Sequence, residues 1–190
     1  LSLHDALPIL APISVDTYYP EVAEAAIQAG ATMINDIKGL DTPGMAEVLA
    51  QYPEVQVVIM HSRKHQSLSL KEELHQFYTE KIEQCQKYGL SLEKICFDPG
   101  IGFHKTVAEN LQLLKDPNAF RYQDYPLLYG VSRKRTIGAL TNEPEPANRD
   151  FGSAAASLYA AQQGVEILRV HNVQGLKQTF DVWRALSEKE

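Results

Sequence analysis

Six short apolar segments, each ending at or next to a polar residue, are the feature that most constrains the fold of this chain. The segments are Ile13-Ser14-Val15-Asp16, Met33-Ile34-Asn35-Asp36, Val57-Val58-Ile59-Met60-His61, Ile95-Cys96-Phe97-Asp98, Leu127-Leu128-Tyr129-Gly130-Val131-Ser132 and Ile167-Leu168-Arg169-Val170-His171. A stretch with helical spacing of apolar residues follows each one. Apolar strands that alternate with helices are typical of a parallel sheet buried on both faces. The polar residues then gather at the carboxyl ends of the strands, where α/β folds build their sites.

The number of strand–helix units favours a barrel over an open sheet. A complete (β/α)8 barrel takes ~250 residues and carries its chemistry at every strand end. The chain has 190 residues, and we therefore expect an α/β fold of the (β/α)8 TIM-barrel type with about six of the eight units, the missing two being amino-terminal. Residues 1–11 lack an initial methionine and fit no strand or helix pattern. We leave them unassigned, with the hypothesis of a non-native leader, and assign residues 12–190 to one domain.

Several glycine and capping signals mark the ends of the predicted helices. Gly30, Gly89 and Gly164 each stand between a helical stretch and a strand, where a left-handed glycine commonly ends a helix. Two pairs predict capping boxes, Ser69 with Glu72 and Thr106 with Glu109. The pair Thr42-Pro43 predicts a further helix start, with threonine as the cap and proline in the first turn.

Composition excludes several classes of function. The formal net charge of -6 argues against a protein that binds nucleic acid or a membrane surface. No apolar segment is long enough to span a bilayer, and no basic region followed by a long apolar one suggests a signal peptide. Cys85 and Cys96 lie in different predicted elements without metal-ligand spacing. We expect two reduced thiols in a cytoplasmic protein.

Four carboxylate or amide side chains close apolar strands, namely Asp16, Asn35, Asp36 and Asp98. Such a set could bind a metal ion, or it could read a flat nitrogen heterocycle through paired hydrogen bonds. Each of them could equally be a helix cap or a turn residue. For Asp16 and Asp98, which follow clean apolar strands, a ligand-binding role is the favoured interpretation.

The segment Asp98-Pro99-Gly100-Ile101-Gly102-Phe103-His104-Lys105 is the sharpest local signal. Two glycines after a strand-end aspartate allow a tight turn and a close approach of the backbone to a ligand. The spacing fits neither the dinucleotide-binding fingerprint nor a Walker loop. Phe103 could stack on a planar ligand.

Basic residues follow the last two strands. The segment Ser132-Arg133-Lys134-Arg135 suits an anionic or carbonyl-bearing ligand, and Lys134 could also be a Schiff-base lysine as in barrel aldolases. Arg169 and His171 are two residues apart and therefore face one side of the last strand. Phosphate groups often bind at this position in barrels. The alternative is a structural Arg169 with a carboxylate partner inside the barrel.

These segments resemble those of dihydropteroate synthases, enzymes of folate biosynthesis in the pterin-binding barrel family. The matching motifs, which follow the family's order from about Pro12 to the carboxyl terminus, are Ile13-Ser14-Val15-Asp16-Thr17, Ile34-Asn35-Asp36-Ile37, Met60-His61-Ser62-Arg63, Phe97-Asp98-Pro99-Gly100-Ile101-Gly102-Phe103, Gly130-Val131-Ser132-Arg133-Lys134 and Arg169-Val170-His171. The resemblance implies a transferase on a (β/α)8 barrel. It would condense p-aminobenzoate with 6-hydroxymethyl-7,8-dihydropterin diphosphate and release pyrophosphate.

The resemblance also implies roles for the acidic and amide residues. Asp98 and Asn35 would bind the edge of the pterin, and Asp16 would lie close to the ring and to the electrophilic carbon. Lys134 would bind the pterin carbonyl group and a ring nitrogen. Asp16 and Lys134 thus count as catalytic residues as well as binding residues.

The remaining roles concern the two other parts of the substrates. Arg169 would stack on the pterin and, together with His171, hold the leaving diphosphate, which makes both catalytic. Ser132 would meet the carboxylate of p-aminobenzoate, and Met60 and Phe103 would line the pocket. The implied substrate-binding set is completed by Gly130 and Val170.

Magnesium is the cofactor that the resemblance implies, but the family's magnesium ligand belongs to a first-strand segment without a counterpart in this sequence. We therefore assign no metal ligand in the chain. The family is commonly dimeric, so we expect a homodimer of the intact parent protein. We expect residues 1–190 alone to be poorly soluble or loosely folded, without measurable synthase activity.

Two other functions share the acidic strand ends. A corrinoid-dependent methyltransferase on the same barrel would have the pterin-reading residues, although Ser132-Arg133-Lys134 and Arg169-Val170-His171 would not be expected in it. A pterin-binding paralogue without catalysis is the second alternative. An aldolase that uses Lys134 would not explain the acidic rim.

Overall fold

The computed structural model describes residues 11–64 and 68–187. The leader hypothesis for residues 1–11 therefore lies almost entirely outside the described residues. The strands are β1 (Ser14–Asp16), β2 (Met33–Asp36), β3 (Gln56–Met60), β4 (Ile95–Asp98), β5 (Leu128–Tyr129) and β6 (Ile167–Leu168). The α-helices are α1 (Pro20–Gln28), α2 (Met45–Leu49), α3 (Leu70–Tyr88), α4 (Val107–Lys115), α5 (Arg135–Thr141), α6 (Asp150–Gln162) and α7 (Val173–Ser187).

The strands are parallel and lie side by side in the order of the sequence. Strands β1 to β4 form one continuous sheet, and β5 pairs with β6. A single parallel bridge between Phe97 and Leu127 connects the two parts. The order and the alternation with helices confirm the predicted (β/α) barrel architecture with six strands described. Within the described residues, the outer edges of β1 and β6 have no strand partner.

The strands separate two apolar clusters. The larger cluster fills the space between the strands and the helices, and Ile59, Tyr78 and Phe97 are among its fully buried members. The smaller cluster consists of Val58, Cys96 and Leu128, with Met33 and Ile167 packed against it. Because side chains alternate along a strand, these five residues share the opposite, inner face of the sheet.

The ends of the helices follow the sequence signals closely. Ser69 and Thr106 form complete capping boxes with Glu72 and Glu109 at the starts of α3 and α4. Gly30, Gly89 and Gly164 all have positive φ, as predicted for glycines that end helices. In the described part of the chain, no helix combines the length and the apolar character that a membrane crossing requires.

The prediction of a helix start at Thr42-Pro43 is wrong. Helix α2 begins at Met45, and the residue before it, Gly44, has a left-handed conformation with φ of 88°. The Thr42 hydroxyl is buried and has no hydrogen-bond partner among the described residues. The chain therefore uses a tight glycine turn to enter this short helix, and a side-chain cap is not formed.

Candidate active site

The inner face of the sheet places a set of side chains at one end of the strands. Each inner residue of the smaller cluster is followed two positions later by a residue at the carboxyl end of its strand. The pairs are Met33 and Asn35, Val58 and Met60, Cys96 and Asp98, Leu128 and Gly130, and Ile167 and Arg169. Residues two apart in a strand face the same side, so these end residues point inward like the cluster and surround the carboxyl-end opening of the barrel, which we call the mouth. Asp16 ends β1 and pairs in register with Asn35.

A cavity of about 310 Å³ lies at this mouth. Its lining residues are Asp16, Tyr18, Asn35, Ile37, Met60, Asp98, Ile101, Phe103, Gly130, Ser132, Lys134, Arg169 and His171. The structure thus brings together every residue that the sequence predicts for the site except Val170. Val170 instead lines a separate cavity between α6 and α7.

Asp98 is the most deeply placed charged group of this cavity. It is 5% exposed, and its Oδ1 accepts a hydrogen bond from the Gly100 N–H at 2.7 Å. Burial raises the pKa of Asp98 to about 6, while that hydrogen bond and the nearby Lys134 ammonium oppose the rise. Its Oδ2 accepts no hydrogen bond from the described residues. Asp98 can therefore offer an open acceptor to a ligand in the cavity.

Asp16, Asn35 and Arg169 form a chain of polar contacts across the mouth. Asn35 donates through Nδ2 to Asp16 Oδ1 at 3.0 Å, and Arg169 Nη2 lies 2.6 Å from Asp16 Oδ2. The Asn35 Oδ1 atom is buried and has no partner among the described residues. A buried acceptor without a partner is costly, so this atom also suits a donor from a ligand.

Arg169 does have the carboxylate partner that its structural interpretation requires. However, the side chains of Arg169 and Asp16 are 53% and 43% exposed. Exposed ion pairs contribute only about 0–1 kcal/mol. Both groups can therefore turn towards a ligand at little cost.

Asp36 is a turn residue and does not line the cavity. It is fully buried, and its two carboxylate oxygens accept the backbone N–H groups of Lys38 and Leu40, both at 2.8 Å. The carboxylate thereby holds the turn after β2. Of the four strand-end groups, Asp36 is therefore the one that has the turn role offered as the alternative to ligand binding.

The cavity is also lined by cations and an aromatic ring. The Lys134 ammonium lies 4.1 Å from the centre of the Phe103 ring, and burial lowers the pKa of this lysine. Ser132 is buried, and its Oγ lies 2.9 Å from His171 Nδ1 while it accepts the His171 backbone N–H at 3.2 Å. One cavity therefore combines cations and a planar ring with the acidic groups.

Side-chain contacts tie the loops after β5 and β6 to each other. Arg133 has a positive φ of 59° and donates to both oxygens of Asp150 at 2.7 and 2.9 Å. Asn172 donates to the same carboxylate at 3.2 Å. These bonds fix Arg133 outside the cavity and orient its neighbours Ser132 and Lys134 towards it.

Three lining residues escaped the sequence analysis, namely Tyr18, Ile37 and Ile101. Tyr18 stands two residues after Asp16, and Ile37 two after Asn35, so the strand period continued beyond the strand ends could have found both. Ile101 lies within the glycine turn that was singled out for its backbone. Because it is only 1% exposed, its side chain forms part of the floor.

The described residues contain no group of three His, Cys, Asp or Glu side chains placed to hold a metal ion. What the cavity offers is a wall of acceptors, a wall of cations and a flat aromatic surface. Such a site can bind a planar heterocycle by its N–H edge and place an anionic substituent beside Arg169 and His171.

Comparisons with known proteins agree on one family. A family model described as pterin binding enzyme matches residues 3–171. The dihydropteroate synthase of Synechocystis is 39% identical over 184 residues, which cover 92% of this chain and 63% of that protein. The dihydropteroate synthase of Escherichia coli K12 is 37% identical over 187 residues, covering 94% of this chain and 66% of that protein.

Solved structures give the same result. The dihydropteroate synthase of Xanthomonas albilineans with 4-aminobenzoic acid superposes with a TM-score of 0.92 at 39% identity, over 99% of this chain and 72% of that chain. The Thermus thermophilus dihydropteroate synthase in complex with 6HMPPP gives a TM-score of 0.88 at 35% identity, over 98% of this chain and 76% of that chain. The chain thus spans somewhat under two thirds of the length of the curated relatives named above.

Proposed function

The chain belongs to the pterin binding enzyme family, and we propose that it acts as a dihydropteroate synthase. In this reaction the amine of p-aminobenzoate attacks the methylene carbon of 6-hydroxymethyl-7,8-dihydropterin diphosphate. The new C–N bond forms as the C–O bond to the diphosphate breaks, pyrophosphate leaves, and the attacking nitrogen loses a proton. The protein would thus be a transferase of folate biosynthesis.

The observation that carries the proposal is the pairing of two open acceptors with a facing cation in one cavity. Asn35 Oδ1 is buried without a hydrogen-bond partner among the described residues, and the one side-chain hydrogen bond that Asp98 forms with them uses Oδ1 and leaves Oδ2 open. Both residues line the same cavity as Lys134. A pterin presents an amine and a ring N–H next to a carbonyl group. The amine and the ring N–H can therefore donate to the two acceptors, and the carbonyl group can accept from the Lys134 ammonium.

The same arrangement supports the chemical step. Positive charge develops on the pterin methylene as the diphosphate departs, and the exposed Asp16 carboxylate at the mouth would stabilise it. Arg169 and His171 would stabilise the departing anion. Preorganised charges of this kind are usually the largest catalytic term, and one such group typically contributes about 3–4 kcal/mol.

The other contacts concern the aromatic substrate and the walls of the cavity. Ser132, bonded to His171, would meet the carboxylate of p-aminobenzoate. Phe103 and Met60 would pack against the rings, and the Gly130 backbone would allow them a close approach. Val170 faces the cavity between α6 and α7, and would act on the site only by holding its neighbours Arg169 and His171 in place after β6.

Magnesium enters the proposal as the counter-ion of the diphosphate. Magnesium in proteins commonly binds substrate phosphates together with one or two carboxylates and keeps several waters. The described residues contain no group of three His, Cys, Asp or Glu side chains that could hold the ion without the substrate. The roles proposed above rest on protein side chains alone.

The proposal also includes a cytoplasmic homodimer. Apolar side chains on α6 and α7 are strongly exposed, among them Phe151 at 92%, Val182 at 61% and Leu186 at 82%. Exposed apolar patches of this kind mark interaction surfaces. This surface supports the expectation of a second copy in the assembly.

A coupled assay of pyrophosphate release tests the proposal. With the full-length parent protein, the dihydropterin diphosphate and magnesium, we expect release that depends on p-aminobenzoate and a product that contains both rings. Pterin binding without release would favour the non-catalytic pterin-binding paralogue. Methyl transfer from a methylated pterin to a corrinoid would favour the methyltransferase, and failure to bind any pterin would overturn the proposed function.

A further inference from the structure

A row of charged and polar groups, formed by the buried Glu73 and His61 and the partly exposed Lys105, lies next to Asp98 and takes no part in the proposed chemistry. His61, which follows β3, is 1% exposed, and its two ring nitrogens have different neighbours. Its Nδ1 lies 3.1 Å from the Lys105 ammonium, and its Nε2 lies 3.2 Å from Glu73 Oε1 on α3. The row therefore runs from α3 through the end of β3 to the loop after β4.

The contacts define the protonation state of His61. A lysine ammonium has donors only, so Nδ1 must accept from Lys105. The ring proton then lies on Nε2, which is 3.2 Å from Glu73 Oε1 but has no partner of hydrogen-bonding geometry among the described residues. Burial, followed by the neighbouring Lys105, lowers the pKa of His61 to about 3. His61 is thus a neutral connector between an anion and a cation.

The row touches Asp98 through the backbone. The His61 N–H donates to the Asp98 carbonyl oxygen at 2.9 Å. Gly100, with φ of 73°, packs tightly on His61. A Cβ added to this glycine would lie 1.9 Å from the His61 carbonyl oxygen and 3.4 Å from Lys105 Nζ. The Lys105 ammonium also donates to the Phe103 carbonyl oxygen at 3.3 Å. Both ends of the glycine turn are therefore attached to the same histidine–lysine pair.

We propose that Lys105 is a positioning residue of the pterin site: its ammonium, held by His61, fixes the turn after Asp98 and supports the negative charge of the Asp98 carboxylate from behind. The inference rests on the proposed function, since Asp98 is the group that would read the pterin edge. Lys105 itself does not line the cavity. It acts through the position and the ionisation of Asp98.

The groups that face Asp98 determine how strongly its ionisation depends on Lys105. The cations are Lys134, Lys105 and Arg169, and each of them lowers the pKa of Asp98 against the effect of burial. Tyr78 on α3, Cys96 on β4 and Tyr129 on β5 are also near, and burial raises the pKa of each. These three stay neutral at pH 7 and do not replace a lost cation. Burial lowers the pKa of Lys105 to about 8, so this lysine is charged when Asp98 titrates.

The test is the pH dependence of pterin affinity, measured by calorimetry between pH 5 and pH 8. A 6-hydroxymethyl-7,8-dihydropterin without the diphosphate is the probe, because a phosphate would titrate in the same range. Affinity should fall as the pH drops through the pKa of Asp98. In Lys105→Met we expect the midpoint of the curve of affinity against pH to rise by about one pH unit. Below the original midpoint, the variant should then bind the pterin about tenfold more weakly than the unmodified protein does.

Two further variants separate charge from tethering. Lys105→Gln keeps a donor for His61 but removes the charge, so its midpoint should also rise, whereas Lys105→Arg keeps the charge and should leave the midpoint in place. Lys71→Met, on the exposed side of α3, is the matched control and should titrate as the unmodified protein does. Circular dichroism establishes that each variant is folded.

A midpoint unchanged in folded Lys105→Gln or Lys105→Met would overturn the inference while leaving the proposed function intact. An equal shift in Lys71→Met would overturn it as well, because the effect would then be general. Failure of the unmodified protein to bind the pterin at any pH would contradict the proposed function itself, and with it the premise of the inference.

Discussion

Asp98 illustrates how one residue can combine a structural role with the binding role that we propose. Its backbone carbonyl oxygen is bonded to His61, and its Oδ1 closes the glycine turn. Its Oδ2 is left for a ligand, and burial raises the pKa of the carboxyl group to about 6. The folded-state pKa lies above the usual value, so ionisation at neutral pH costs stability, and a donor from the ligand offsets part of this cost.

Arg169 gives a prediction at the same scale. Arg169→Ala should weaken the binding of pyrophosphate by about 2–3 kcal/mol, because it removes a charged donor and leaves Asp16 as an unpaired anion beside the phosphates. Binding of p-aminobenzoate should change much less. Calorimetry with the two ligands separately is the measurement, and Arg63→Ala, whose guanidinium is held by Asp41 and Glu80, is the control. Equal losses for both ligands would show that Arg169 has a structural role only.

The sequence predicts individual site residues where a strand ends on them. Asn35, Met60 and Asp98 continue the alternation of apolar strands, so both their depth and their side of the sheet follow from the period of two. Lys105 could not be found in this way. Its contact with His61 depends on the path of the glycine turn, and neither residue carries a sequence signal that names the other.

Glycines in the turns next to the strands give a prediction at the scale of elements, since Gly89 and Gly100 can be compared by substitution with alanine. Gly89 and Gly100 have similar positive φ values of 79° and 73°, but nothing lies within 4 Å of an added Cβ at Gly89. Gly89→Ala should cost only the conformational term of roughly 1–2 kcal/mol. Gly100→Ala should in addition displace the His61 carbonyl group, and we expect loss of most pterin affinity.

Thermal unfolding and pterin titration of the two alanine variants check this prediction. The expected pattern is a modest loss of stability in Gly89→Ala, a larger one in Gly100→Ala, and a loss of pterin affinity only in Gly100→Ala. Pterin binding that is equally retained in both folded variants would show that the turn after β4 does not need its close packing on His61.

Signals at the level of elements were predictable to the extent that they are local. The capping boxes at Ser69 and Thr106 follow from four-residue patterns, and both are present. The start of α2 was not predictable from Thr42-Pro43, because a left-handed Gly44 lets the chain enter the helix two residues later than the pattern indicates. The turn before α2 depends on the backbone conformation of several residues, so the pair Thr42-Pro43 alone does not determine where the helix begins.

At the scale of the whole molecule, the six parallel strands follow one another in the order of the sequence and place their carboxyl ends around one mouth. This arrangement was predictable because buried parallel strands alternate with helices. The pairing of particular side chains across the barrel was not. Arg169 reaches Asp16 across 153 positions of the chain, a contact that no local pattern specifies.

The most direct test of the central claim is calorimetric titration of Asp98→Asn, in the full-length parent protein, with a 6-hydroxymethyl-7,8-dihydropterin at pH 7.5. The change replaces an acceptor oxygen by a donor that faces the N–H edge of the ligand. We predict a loss of about 2–4 kcal/mol of binding free energy, while the exposed Asp124→Asn control binds as the unmodified protein does. A change in affinity below about threefold, which is under 1 kcal/mol, in a folded Asp98→Asn variant would contradict the account.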